Sequence, residues 1–277
     1  MDFDLQLPSG RIRARRFGES EAPLVLCVPG LSANLSSFDF IAERIADSSL
    51  SVVAVDLRGR GHSEVTGPGT YGWERHARDV FAIAEALGAT RFSLIGQSMG
   101  GAVAMQAAAI DASRIERIVL LDICGVPDPA SAAAIAASVG RLGQVAPSAE
   151  AYIAAIQGMG LIDPWSEYWD RYFAYELEPV EGGVRSRSNR EAVLEDSAYA
   201  EGHPAYPLWA SLTMPILLLR ASREILPGLG RIVSEEDAAR FPREVSTASV
   251  VEIDANHYTV NTSGASVTAI REFFGLD

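Results

Sequence analysis

The chain of 277 residues has no lysine: all 23 of its basic residues are arginine. Without Lys there can be no Schiff-base nucleophile, no anchor for pyridoxal phosphate and no P-loop lysine. Cysteine is nearly absent as well. Cys27 and Cys124 are too few for a disulfide framework or a Cys-rich zinc site. Both stand beside apolar runs, where a free thiol behaves as a small buried hydrophobe. The four histidines include no His-x-x-x-His pair, so no metal site is expected. No stretch of ~18 apolar residues runs free of charge, so no membrane span is expected. The first residues, MDFDLQLPSGRIRARR, carry acids early and lack the apolar segment of a signal peptide. A cytoplasmic location is the expectation. Positive charge is in deficit, with 36 acidic residues against 23 basic ones and a net charge of −13. A field of that sign repels phosphate backbones, so nucleic acid is not expected as a partner.

What is present is ordinary globular composition, 48% hydrophobic, enough for one large domain with a deep core or two small ones. Leu24–Val28, Ser51–Asp56, Phe92–Gly96 and Ile115–Asp122 are continuous apolar runs of the kind that form strands buried on both faces. Between them Phe38–Ala46, Glu74–Leu87 and Ser98–Ile110 carry a helical period. Strand alternating with helix predicts an α/β fold, a mostly parallel, doubly wound sheet with helices on both faces. Ahead of it, Phe3–Leu7 and Arg11–Phe17 flank Pro8-Ser9-Gly10 and read as a hairpin. The alternation stops after Asp122 and resumes at Pro215–Arg220 and Ser249–Ile253, with a last helix near Ser263–Phe274. Ten of the 22 aromatics fall between Tyr152 and Trp209. Residues 127–208 therefore read as a helical cap inserted into a core made of 1–126 and 209–277, placed over the carboxyl ends of the strands, where such sheets bind ligands.

Gly96-Gln97-Ser98-Met99-Gly100 matches G-x-S-x-G directly after a strand and before a helix. Ser98 must sit on a tight, strained turn, and side chains at 96 and 100 would collide with neighbouring backbone. The helix that follows aims the positive end of its dipole at the hydroxyl, which suits a developing anion. Ser98 is thus the candidate nucleophile. Its base is His257, in Asp254-Ala255-Asn256-His257-Tyr258, just after the last strand and at the same sheet edge. His62 reads as bracing its turn-rich loop, His76 as solvated on a polar helical face, and His203 as a surface residue. Two backbone donors are needed for an oxyanion. Met99 N–H, next to the nucleophile, is one. Leu31 N–H, in the Pro29-Gly30-Leu31-Ser32 loop after the first buried strand, is the other.

The VPGL loop, the DLRGRGHS loop, the GQSMGG elbow, the cap insertion and the NHY segment together resemble the α/β-hydrolase superfamily over essentially the whole chain. The family often has His before the loop glycine, where this chain has Pro29. The resemblance implies an α/β-hydrolase fold and a Ser…acid…His triad, and offers two positions for the acid. Asp122 ends the strand before the cap and is the shorter, stiffer orienter of an imidazole. Glu224 follows the strand after the cap and is the alternative. The implied activity is that of a serine hydrolase cleaving a carboxylic ester or related acyl bond (lactone, thioester, activated amide) of a small molecule through an acyl-enzyme. The alternatives are a C–N hydrolase of a small carboxylated metabolite, and a ligand-binding receptor on a hydrolase scaffold. Dehalogenases and epoxide hydrolases of the family carry Asp at the nucleophile position, and Ser98 argues against both. No cofactor is implied, and a homodimer is left open. Trp165, Trp169, Tyr172 and Tyr258 are the candidates for lining the substrate pocket. Arg141, Arg171, Arg185, Arg187 and Arg190 are candidates for a substrate carboxylate, with solvated faces as their ordinary role.

Overall fold

A computed structural model describes residues 1–276 of the chain. The elements run β1 (Asp2–Leu7), β2 (Gly10–Phe17), β3 (Leu24–Val28), α1 (Asp39–Ile45), β4 (Ser51–Val55), α2 (Trp73–Ala86), β5 (Phe92–Gln97), α3 (Met99–Asp111) and β6 (Ile115–Leu121). Then come α4 (Ala132–Gly140), α5 (Ala149–Gly158), α6 (Glu167–Glu176), β7 (Leu177–Val180), β8 (Gly183–Ser186) and α7 (Arg190–Gly202). The chain ends with β9 (Ile216–Ala221), α8 (Glu235–Glu244), β10 (Ala248–Ile253) and α9 (Gly264–Phe274).

Eight strands form one sheet in the order β1-β2-β4-β3-β5-β6-β9-β10. The β1–β2 hairpin and the β2–β4 pair are antiparallel, and every pair from β4 to β10 is parallel. Side chains alternate across a strand, and β3 shows how both faces are filled. Leu24, Leu26 and Val28 join the core under α2 and α3, while Val25 and Cys27 join the core under α1 and α9. Burial on both sides is why these strands read as unbroken apolar runs. Cys27 and Cys124 are free and buried, and burial pushes both thiols well above their ordinary range.

Helices α4–α7 lie between β6 and β9 and form the cap. Its core is aromatic: Tyr168, Trp169, Tyr172 and Phe173 occupy one face of α6 and pack with Tyr152 and Ile156 of α5 and with Ile123 and Ile225 of the core. The short β7–β8 hairpin was not expected from the sequence. Its four-residue strands are mostly exposed or half-buried, so no apolar run marks them. His76 also departs from expectation. It is fully buried rather than solvated, because the first turn of α2 packs against α7 and an acid from that helix meets the imidazole.

Candidate active site

Four loops at the carboxyl ends of β3, β5, β6 and β10 bring the predicted residues together. Ser98 has φ 53° and ψ −125°, a left-handed backbone that few non-glycine residues adopt. The turn is possible only because the backbone closes on itself around two glycines. A Cβ on Gly96 would lie 2.4 Å from Gly100 O, and one on Gly100 would lie 1.9 Å from Val28 O. The turn puts Ser98 immediately before α3, whose first residue is Met99.

Asp122 follows β6 and is the other non-glycine residue with positive φ among the described residues, at 52°. Its carboxylate is 1% exposed, with Oδ1 accepting from Ala221 N–H at 3.0 Å and Oδ2 lying 2.8 Å from His257 Nδ1. An ionised carboxylate can only accept, so Nδ1 carries the proton and Nε2 is left as the basic nitrogen. Nε2 faces the elbow, 3.4 Å from Gln97 Nε2. Ser98 Oγ has no hydrogen bond to His257 in this state, a contact that commonly tightens only when substrate is bound. Glu224, the other candidate acid, is exposed and accepts from Gly228 N–H at 3.0 Å. The structure pairs Asp122, not Glu224, with the imidazole.

Asn256 was missed by the sequence reading. It is buried beside His257, accepts from the N–H groups of Tyr258 and Thr259, and donates to Leu161 O at 2.8 Å. It therefore fixes the loop bearing His257 and ties it to the cap.

The loop after β3 comes up against the elbow. A Cβ on Gly30 would meet Gln97 Oε1 at 2.5 Å and Ser98 Cβ at 3.2 Å. Among the described residues, the N–H groups of Leu31 and Met99 have no acceptor within the protein. Both residues border, with Ser98 and His257, a cavity of about 660 Å³ between sheet edge and cap. That size suits a small-molecule ligand. Trp169, Tyr172 and Tyr258 lie in its wall, and burial pushes the phenols of Tyr172 and Tyr258 up. Trp165 does not line the cavity. Its ring stacks on Phe173 at 5.7 Å and its indole N–H donates to Asp170 at 3.0 Å, so it covers the cap from outside.

The arginines divide in the same way. Arg141 is in the wall but bonded to Glu176 and Tyr152, while half-exposed Arg190 stands at the rim of the cavity. Arg185 and Arg187 pair with Glu178 outside it, and Arg171 is exposed away from it. No group of described residues could hold a metal ion. No described helix is long and apolar enough to cross a membrane.

The family model described as alpha/beta hydrolase fold matches residues 23–155. A serine hydrolase-like protein of Danio rerio is 34% identical over 125 residues, 45% of this chain and 38% of its own length. N-formylmaleamate deformylase of Pseudomonas putida is 39% identical over 108 residues, 39% of each chain. The chain thus spans about four tenths of the length of these two relatives. 2-(Acetamidomethylene)succinate hydrolase of Mesorhizobium japonicum is 24% identical over 266 residues, 95% of this chain and 92% of its own. The crystal structure of E-2-(acetamidomethylene)succinate hydrolase superposes with a TM-score of 0.89 at 22% identity, over 99% of both chains. With its sheet order, its elbow and its cap, the chain has the α/β-hydrolase fold.

Proposed function

We propose that the protein is a serine hydrolase that cleaves an acyl–nitrogen bond of a small molecule through an acyl-enzyme on Ser98. The observation that carries this reading is the 2.8 Å contact between His257 Nδ1 and Asp122 Oδ2, beside a serine held on a left-handed turn at a helix N-terminus. Ser98 Oγ attacks the acyl carbon as His257 Nε2 takes its proton. The resulting oxyanion lies between the free N–H groups of Leu31 and Met99. His257 then protonates the leaving nitrogen, Asp122 stabilises the imidazolium, and water releases the acyl group by the same steps. No step requires a cofactor. A scaffold kept only for binding has no use for a strained serine, an aligned imidazole and two unpaired N–H groups together.

The choice of nitrogen over oxygen as the leaving atom rests on the relatives. N-formylmaleamate and 2-(acetamidomethylene)succinate both carry an acyl–nitrogen linkage in their names. The ester reading, which the sequence favours on its own, stands second, and the largely apolar cavity wall accommodates either. Both named compounds are acids as well. If the substrate here bears a carboxylate, Arg190 is the cation we assign to it, since Arg141 is already matched by Glu176.

The test is a panel of N-formyl and N-acetyl amides beside matched p-nitrophenyl esters, with fluorophosphonate labelling of the intact protein. Amide turnover with the label on Ser98 is the expected result. Ester turnover without amide turnover would return the function to an esterase. Failure of both, with no labelling, would overturn the serine hydrolase reading.

A further inference from the structure

The loop bearing the second oxyanion donor is held by groups that lie far away in sequence. Three consecutive carbonyls are pinned: Gly30 O accepts from Ala33 N–H at 3.2 Å, Leu31 O from Arg60 Nε and Nη2 at 3.0 and 2.9 Å, and Ser32 O from Ser188 Oγ at 2.9 Å. In a trans peptide the N–H points opposite to the carbonyl. Fixing Gly30 O therefore aims Leu31 N–H, and fixing Leu31 O stops the next peptide from turning it away.

Arg60 is fully buried, and so is what holds it. Its Nη2 donates to Asp196 Oδ2 at 2.5 Å and its Nη1 to Arg58 O at 3.0 Å. Asp196, on α7 of the cap, also accepts from Gly72 N–H at 2.6 Å and from His76 Nε2 at 3.0–3.1 Å. Burial alone would raise its pKa, but His76 and Arg60 outweigh that and bring it down to about 2. The carboxylate is therefore ionised and can only accept, so His76 Nε2 carries the proton. Gly59 makes room for the junction. Its φ is 73°, its carbonyl accepts from Asn189 N–H at 2.8 Å, and a Cβ there would lie 2.7 Å from Ala192 Cβ of α7.

We propose that Arg60 is a positioning residue for the oxyanion hole, and that docking of the cap segment 188–196 onto the core assembles that hole through Asp196 on Arg60 and Ser188 on Ser32. The proposal rests on Leu31 N–H acting as a donor to the oxyanion, as set out under the proposed function. A fork of two N–H groups on one carbonyl fixes a peptide plane, whereas a single ammonium on a flexible stem does not. Arg60 does not enter the triad, and its partner lies 136 residues away on a different element.

Arg60→Lys tests this because it keeps the charge facing Asp196 and loses the fork on Leu31 O. It should lower kcat by about 10–100-fold on the best substrate, a part of the 10²–10³ that losing a whole oxyanion donor costs, with KM within about threefold. Amide hydrogen exchange at Ala33, whose N–H is held on Gly30 O, should speed up while the thermal midpoint stays within a few degrees. Where Arg60→Lys does not fold, the charge-neutral pair Arg60→Gln with Asp196→Asn takes its place with the same expected readouts. Unchanged kcat, or a loss of kcat explained by global destabilisation with exchange at Ala33 unaltered, overturns the proposal. Wild type and Ser98→Ala run alongside. If wild type turns over no acyl substrate or Ser98→Ala keeps its activity, the hydrolase reading has failed, and exchange at Ala33 still reports on the hold over the 30–33 loop by itself.

Discussion

At the sheet edge the backbone does the placing. Ser98 and Asp122 both sit at positive φ, and around Ser98 the chain passes within van der Waals reach of itself. In the cap, side chains do the placing. Aromatic rings from α5 and α6 build its core, and buried or half-buried polar contacts dock it, among them Asp196 on Arg60, Ser188 on Ser32, Tyr168 on Ser36 and Tyr175 on Asp56. The division has a chemical sense. A nucleophile and its base must stay within a fraction of an ångström of one geometry, which a strained turn between rigid strands secures. A substrate wall must vary with the substrate, which exchangeable side chains on a separate layer allow.

If that contrast is right, changes at the sheet edge remove rate and leave the fold alone. Ser98→Ala should lower kcat by ~10⁴-fold or more, with unchanged circular dichroism and thermal midpoint, since only a hydroxyl leaves a turn shaped by Gly96 and Gly100. Activity above ~1% of wild type would show that the turn presents something other than the nucleophile.

The next largest effect separates the two carboxylates. Asp122→Asn should cost ~10³–10⁴ in kcat, because an amide facing Nδ1 favours the wrong tautomer of His257. Glu224→Gln should cost less than about tenfold, its carboxylate being exposed on a loop turn. Steady-state kinetics on one substrate decide between them, and the reverse ranking would move the acid out of the strained turn altogether.

In the cap the same experiment should trade stability against selectivity. Trp169 is 4% exposed, lines the cavity and packs on Tyr168, Tyr172 and Phe173. Trp169→Ala should cost ~3–5 kcal/mol of stability in denaturant unfolding. It should also shift the kcat/KM ratio between short, long and aromatic acyl groups by ~1–3 kcal/mol. Trp165→Ala, which removes an outer ring, should leave those ratios unchanged and cost ~1–2 kcal/mol. Equal shifts in selectivity from both would mean that the cavity wall is not where the cap core places it.

The same division decided what could be read from the sequence. Sheet strands announce themselves by unbroken apolar runs, and the elbow by two glycines that no side chain can replace, so β3 to β6, Ser98 and the loop of His257 were legible in order. The resemblance offered two acids, and only the register of β6 against β9, which brings Asp122 beside His257 and leaves Glu224 outside, distinguishes them. The polar docking contacts were not legible. Arg60 lies in the DLRGRGHS segment and could be quoted, but Asp196 sits on an unremarkable face of α7, and no local pattern joins residues 136 apart. His76 was misjudged for the same reason. Its neighbours on α2 are charged, which reads as a solvated face, whereas the acid that buries it arrives from the cap. Trp165 and Trp169 differ by four positions, but Trp165 precedes α6 while Trp169 lies on it, and composition does not say which ring faces the cavity.

The smallest expected effect probes the seam itself. Asp56 is fully buried at the end of β4 and accepts from Leu35 N–H, His62 N–H and, across the seam, Tyr175 O–H at 2.7 Å. Burial dominates and raises its pKa to about 6, with those donors pulling the other way. In the unfolded chain the group titrates near 3.9. Between about pH 4 and 6 the folded state therefore binds more protons, and this group adds stability as pH falls through that window. Above pH 6 the carboxylate is ionised in both states and the full cost of burying it is present. The Tyr175 hydroxyl relieves that cost mainly when Asp56 is ionised, because hydrogen bonds to a charged acceptor are about twice as strong as neutral ones. Tyr175→Phe should thus destabilise by ~2 kcal/mol at pH 8 and ~1 kcal/mol at pH 4.5, measured by denaturant unfolding at each pH. The rest of the acid and base titration cancels in the comparison of mutant with wild type. A loss of equal size at both pH values would show that Tyr175 holds the cap by packing alone, and that the polar seam contributes less to docking than the aromatic core of α6.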